Sequence, residues 1–357
     1  MTRPTPDQRV LIWSLKSRAG GGGLCGLELG RALNEQAGVS ARVACLAGSE
    51  LQGLADAMGL STHPLPWAFG SRKKRFAALL TDWQPTLVVN PMLSLRQTPL
   101  VPMVLRSPAR YGILIHEARV RPGNSKLADR VGLIAQRWEM ARADVCVALS
   151  QLTAHDIAPT VTAGRLLKGI HPAFTAAKHK SPDAVPGSPP RILFFGRSNA
   201  SKGLDRLMAA FALLRQRVPV ELDLCVQPAM AKRFSAMDGV RCWTGYLSEQ
   251  DLETRIQAAD VVALPYENAV QSGVAARAMG VGCPCVTTPV GGLPEQVIHR
   301  RTGQVAVDMT AAAFAEAIYE TLADAGRYRA LVRENLRLAN GERSWPVLAR
   351  RILGSLA

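Results

Sequence analysis

The stretch Arg191-Ile-Leu-Phe-Phe-Gly-Arg-Ser-Asn-Ala-Ser-Lys-Gly-Leu-Asp205 passes from an apolar run through a polar, glycine-marked loop into the start of a periodic segment. The run Arg191 to Phe195 reads as a buried strand, Gly196 allows a tight turn, and a helix follows from Gly203 to Arg217. Arg197 and Lys202 flank the loop, so two cations and free backbone N–H groups meet at one strand end. That combination suits a diphosphate. Taken alone, the stretch also reads as a solvated basic loop.

Working outward, strands are expected at Val220 to Val226, Val261 to Leu264 and Pro284 to Thr288, with a helix around Val274 to Met279. Upstream, residues 171–190 are rich in Pro and small residues and read as a linker. Before the linker the same alternation appears. Strands are expected at Val10 to Leu15, Ser40 to Leu46, Leu87 to Asn90, within Ala109 to His116, and at Asp144 to Leu149. Gly20-Gly-Gly-Gly23 reads as a loop before a helix from Leu24 to Leu33. Strands alternating with helices imply an α/β protein with two Rossmann-like units, each a mostly parallel sheet, and a cleft between them. The boundaries are 1–170, the linker 171–190, 191–335, and a last helical segment 336–357.

The chain has 357 residues, 48% of them hydrophobic and 20% charged. No apolar run approaches the ~20 residues that span a bilayer. The polar start and the short Val10-Leu-Ile-Trp13 run do not make a signal peptide, so a cytoplasmic location is expected. The seven cysteines are scattered and mostly within apolar segments; Cys283-Pro-Cys285 has no His or Cys neighbours at metal-ligand spacing. Buried thiols, no metal and no disulfide framework are expected. The net charge is +15, of which residues 1–170 carry +10. Such a surface attracts phosphates, or simply keeps the chain soluble. With 5% aromatics and no recognised module, no specific nucleic acid is expected as a partner.

Two further segments lie at strand ends. In Pro265-Tyr-Glu-Asn-Ala-Val-Gln-Ser-Gly273, Gln271-Ser-Gly opens a helix, and Ser272, Gly273 and Val274 could hold a phosphate at its N-terminus or serve as an ordinary cap. Val290-Gly-Gly-Leu-Pro-Glu295 is a turn before a helix. The ordered set Gly196-Arg…Lys202-Gly, Gly245-Tyr-Leu, Ala259-Asp-Val-Val, Gln271-Ser-Gly, Ala278-Met-Gly-Val-Gly-Cys-Pro and Val290-Gly-Gly-Leu-Pro-Glu295 resembles family 4 of the retaining glycosyltransferases. The resemblance covers residues 190 to 305, with a supporting Ser344-Trp345. In the N-terminal half, Ile113-Leu-Ile-His-Glu117 followed by Arg121-Pro-Gly123 is similar to the family's strand ending in a histidine.

The resemblance implies a GT-B fold and a metal-independent hexosyltransferase needing no cofactor, its nucleotide-sugar donor a substrate. The acceptor would be a glycan or a lipid-linked saccharide, as in bacterial surface polysaccharide synthesis. It assigns His116, Arg197 and Lys202 to catalysis. Donor binding falls to Gly22, Gly23, Gly196, Gly245, Tyr246, Leu247, Glu267, Gln271, Ser272, Gly273 and Val274. The last helix would return to brace the N-terminal domain. One departure stands out: the family's two glutamates align with Ala269 and Arg277, leaving Glu267 as a substitute for the first. A catalytically inactive, nucleotide-sugar-binding or scaffold homologue is therefore a second reading. Finally, Arg72-Lys-Lys-Arg75 next to an apolar helix face reads either as a peripheral anionic-membrane patch or as a solvated helix start.

Overall fold

The computed structural model describes residues 8–18, 20–119, 127–196, 199–245 and 247–356, the side chains of 127–129 excepted. Arg197, Tyr246 and the Arg121-Pro-Gly123 loop lie outside the described residues. The chain divides into two units, Met1–Gly169 with Trp345–Ala357, and Ile170–Ser344.

The first unit holds strands β1 (Gln8–Ser14), β2 (Val39–Leu46), β3 (Ser61–Leu65), β4 (Leu87–Asn90), β5 (Arg110–Ile115), β6 (Val145–Ala148) and β7 (Leu166–Lys168). They pair in the order β3-β2-β1-β4-β5-β6-β7, all parallel. Ile12 sits opposite Val43 on one side and Val89 on the other. A parallel sheet covered on both faces explains why these strands read as unbroken apolar runs. The second unit holds β8 (Arg191–Phe195), β9 (Glu221–Cys225), β10 (Val240–Trp243), β11 (Val261–Leu264), β12 (Cys285–Thr287) and β13 (Gly303–Val305), in the parallel order β10-β9-β8-β11-β12-β13. In both units the chain starts mid-sheet, winds to one edge, and returns past its own start. The reversal opens a crevice at the carboxyl ends of β1 and β4, and again at those of β8 and β11.

The strands absent from the sequence reading are β3, β7, β10 and β13, the edges of the two sheets. Edge strands can be short and half exposed, and they tolerate the proline that β3 carries at position 64. Their apolar signature is correspondingly thin.

Gly20 to Gly23, expected as a loop, are instead the first turn of helix Gly20–Asn34. Close packing is the reason. A Cβ on Gly22 would lie 1.9 Å from Met92 Cε, and one on Gly26 would lie 2.9 Å from Pro91 Cγ. The helix thus seats directly on the chain leaving β4. Helix Trp345–Gly354 belongs to this first unit; it packs on Gly20–Asn34, burying Trp345, Leu348, Ala349 and Ile352. Arg351 Nη2 donates to the Lys168 carbonyl at 2.6 Å. Residues 336–344 stay with the second unit.

Residues 171–190 are strapped to the second unit by backbone bonds. Phe174 N donates to Ala276 O at 3.1 Å and Lys180 N to Val281 O at 2.8 Å. Gly280 makes the approach possible, since a Cβ there would lie 1.9 Å from Phe174 O. At the head of this strap His171 is buried. Burial, and then the nearby Arg277 cation, pull its imidazole down to about 4, against the bond to the Pro172 carbonyl. The folded value lies below the unfolded one, so this contribution to stability is complete above pH 6.5 and is lost as pH falls through about 4. The loss is about 3 kcal/mol. Urea midpoints are expected to fall across that window, and His171→Asn to flatten the dependence.

Candidate functional site

The switch point between β8 and β11 gathers most of the second unit's expected site residues. The loop leaving β8 runs through a 3-10 turn, Ala200–Lys202, and is stopped by Gly203 at φ +63°. Its Ser201 carbonyl accepts from Glu267 N at 2.9 Å, so the exits of β8 and β11 are stitched together. Lys202 Nζ lies 3.5 Å from the centroid of the Tyr266 ring. Tyr266 is fully buried, and its hydroxyl lies 3.5 Å from Ser272 Oγ. Ser272 caps helix Gly273–Val281 by accepting from Ala275 N at 3.3 Å. Amides in the first turn of such a helix have no acceptor one turn back, which leaves Gly273 and Val274 suited to an anion. Gly196 backs onto this helix start, 3.7 Å separating its would-be Cβ from Val274 Cγ2. Lys202, Gly196, Ser272, Gly273 and Val274 therefore converge, with Gln271 half-buried beside them. An ammonium seated on a buried ring next to a helix N-terminus is an arrangement for holding and neutralising phosphate oxygens.

A scaffold behind the site fixes Ser272. The buried Gln296 side chain accepts from Ser272 N at 2.6 Å and donates to Ser272 O at 3.1 Å, clamping both backbone groups. Arg343 in turn donates to the carbonyls of Gln296 (2.6 Å) and Glu295 (2.7 Å). Thr288 Oγ1 donates to Tyr266 O at 2.6 Å and fixes the backbone that carries the ring.

The positions that the resemblance would fill with acids are occupied differently. Ala269 is completely buried. Arg277, one turn into the helix, is ion-paired with Glu249, and its guanidinium lies 4.9 Å from the Phe174 ring centroid. Glu249 opens helix Glu249–Ala258, so the carboxylate on this side of the helix comes from a different element. Glu267 makes a two-pronged ion pair with Arg206, at 2.9 and 3.0 Å. Arg206 also donates to Pro265 O at 2.8 Å and Met309 O at 2.5 Å. Gly245, at φ +100°, and Leu247 lie beyond the edge strand β10, two strands from β8.

In the first unit, Gly22 and His116 meet on the Pro91-Met92 segment. His116 Nε2 lies 2.8 Å from Pro91 O. A carbonyl only accepts, so Nε2 carries a proton, and in the neutral ring Nδ1 keeps the lone pair. A buried network holds the crevice between β1 and β4. Gln97 Nε2 donates to Trp13 O (2.9 Å) and Asn90 Oδ1 (3.0 Å). Asn90, Tyr111 and Thr98 donate to Glu139 at 3.0, 2.7 and 2.8 Å. Burial pushes the Glu139 carboxyl up, against those three bonds.

Comparison with known protein families gives a match within the second unit. Residues 189–324 match the family of glycosyl transferases group 1. The D-inositol 3-phosphate glycosyltransferase of Pseudarthrobacter chlorophenolicus is 34% identical over 197 residues, 50% of this chain and 46% of that protein. The chain thus spans about half the length of the curated relatives it matches. Among solved structures, Anabaena HepE in complex with UDP and glucose superposes with a TM-score of 0.73 at 16% identity, covering 98% of this chain and 99% of that one. Sucrose-phosphate synthase from Thermosynechococcus elongatus gives 0.74 at 19% identity, covering 98% of each. At these identities the likeness is one of fold: two parallel-sheet α/β units of the GT-B type.

Within the group 1 segment, the sequence reading missed Tyr266, Arg206, Gln296 and Thr288. Tyr266 carried a signal, since it stands two residues past a strand end at the switch point. The others carried none, as their roles depend on partners 22 to 61 positions away. No disulfide joins any of the seven cysteines, and all but Cys242 are buried. Burial pushes Cys45, Cys146 and Cys283 up to about 12, which leaves them poor nucleophiles.

Proposed function

We propose that this protein is a glycosyltransferase that moves a hexose from a nucleotide-sugar to a glycan or lipid-linked acceptor, with retention, in bacterial surface polysaccharide synthesis. The observation carrying this reading is the Lys202–Tyr266–Ser272 constellation at the switch point of a unit that matches glycosyl transferases group 1. As the bond from the anomeric carbon to the diphosphate breaks and the acceptor hydroxyl oxygen bonds to that carbon, its proton passing to the departing phosphate, negative charge grows on the phosphate. The Lys202 ammonium and the Gly273–Val281 helix start would stabilise it electrostatically, by a few kcal/mol per well-placed group, with no metal required. Arg197 and His116 keep the roles implied by the resemblance, phosphate contact and contact with the transferred sugar.

The test is turnover with a panel of nucleotide-sugars, read as release of nucleoside diphosphate with and without EDTA. Donor-dependent release that EDTA leaves unchanged is expected. A second reading, an inactive nucleotide-sugar-binding homologue, draws on the buried Ala269 and the Arg277–Glu249 pair. Tight donor binding without turnover across donors and acceptors would favour it. In either reading Glu249 supplies a carboxylate where the helix itself has a cation. Glu249→Gln is expected to weaken donor binding about tenfold, measured by calorimetry, which is the order of one charge-assisted hydrogen bond.

A further inference from the structure

The first unit carries a surface of cations and exposed aromatics that the nucleotide-sugar reading does not use. Asp82 is the sole acid between Asp56 and Glu117, a stretch with Arg72, Lys73, Lys74, Arg75, Arg96, Arg106 and Arg110. Where the chain leaves β3 it exposes Trp67 (50%) and Phe69 (47%), and Leu95 (46%) stands beside Arg96 on the segment after β4. The two segments touch, because the Arg96 guanidinium lies 5.6 Å from the Trp67 ring centroid. Arg72 is not part of the open surface. It is buried, donates to Trp67 O at 2.7 Å, and lies 5.6 Å from the Phe69 ring centroid, so it props up both aromatics from beneath. Lys73, Lys74 and Arg75 follow on the exposed side of helix Phe69–Trp83.

We infer that this surface docks on an anionic lipid bilayer, with Trp67, Phe69 and Leu95 entering the headgroup region and Lys73, Lys74, Arg75 and Arg96 meeting lipid phosphates. Large apolar side chains with cations beside them, on a stretch whose sole acid is Asp82, complement a negatively charged interface. Nucleic acid fits less well. Base stacking needs an open ring face, whereas Trp67 has Arg96 over its ring and its indole N–H already donates to Ala47 O at 2.8 Å. Among the described residues no helix is long and apolar enough to cross a membrane, so attachment would be to the surface.

The experiment is co-sedimentation of the full chain with vesicles of phosphatidylcholine alone and with 30% phosphatidylglycerol, at low and high salt. Binding to the anionic vesicles only, lost at high salt, is expected. A surface cation is worth about fivefold in partition, so Lys73→Gln/Lys74→Gln/Arg75→Gln should lower it about a hundredfold. Trp67→Ser/Phe69→Ser should lower it about tenfold and leave the salt dependence in place. All five side chains are exposed, and thermal melts will confirm folding. Equal binding to both vesicle types, or anionic binding unchanged in both variants, overturns the inference. So does binding to a single-stranded oligonucleotide that competes fully with vesicles and ignores the Trp67/Phe69 change. The vesicle comparison needs no variant and reads the inference even if one misfolds.

Discussion

Lys202→Ala is expected to abolish the thermal stabilisation given by a nucleotide-sugar donor and to cut turnover by at least a hundredfold. The ammonium is held 3.5 Å from the centroid of a fully buried ring, beside the capped start of helix Gly273–Val281. A preplaced charge of this kind needs no reorganisation as the leaving group forms, and removing one such group typically costs 10²–10³ in rate. A donor at 100 times its dissociation constant adds about 2.7 kcal/mol, which sets the size of the shift to be lost. Lys202→Gln keeps the reach without the charge and should behave like the alanine variant. A full shift in both variants would mean that the phosphate binds elsewhere.

Gly203→Ala should be the most damaging single methyl group at this site. The residue is left-handed, at φ +63°, and its Cβ would fall 1.7 Å from the Pro265 carbonyl oxygen. Strain alone costs about 1–2 kcal/mol. The clash adds more, because Pro265 O cannot retreat without breaking its bond from Arg206 and dragging on the Ser201–Glu267 backbone bond. A total loss of about 3–5 kcal/mol is expected from denaturant unfolding. Gly245→Ala is the control: its φ of +100° is also strained, but no atom lies within 4 Å of its Cβ position. Its cost should stay near the strain term. Equal costs at the two glycines would show that backbone contact at Gly203 is unimportant.

The loop after β8 was legible because its chemistry is local. Gly196, Lys202 and Gly203 lie within eight residues of one another, next to an unmistakable apolar strand. Ser272 and Gly273 were legible for the same reason, as a cap and helix start following β11. The Gly20 to Gly23 run was misread because a glycine cluster signals a turn when neighbours along the chain are weighed alone. Met92 and Pro91, some 70 residues away, turn it into a helix face with no room for side chains. The basic run Arg72 to Arg75 reads in sequence as one patch, yet Arg72 faces inward to hold Trp67 and Phe69.

By itself, then, the amino-acid sequence determined two α/β units, their central strands, and which strand ends carry cations and free amides. Those features follow from hydrophobic period and from turn and cap residues, which act over one or two turns of chain. Tertiary structure alone decided the four edge strands, the seating of Lys202 on Tyr266, the commitment of Glu267 to Arg206, and the pairing of Arg277 with Glu249. Each of these depends on crossovers that bring distant segments within a few ångströms. No local pattern encodes which side chain will be waiting there.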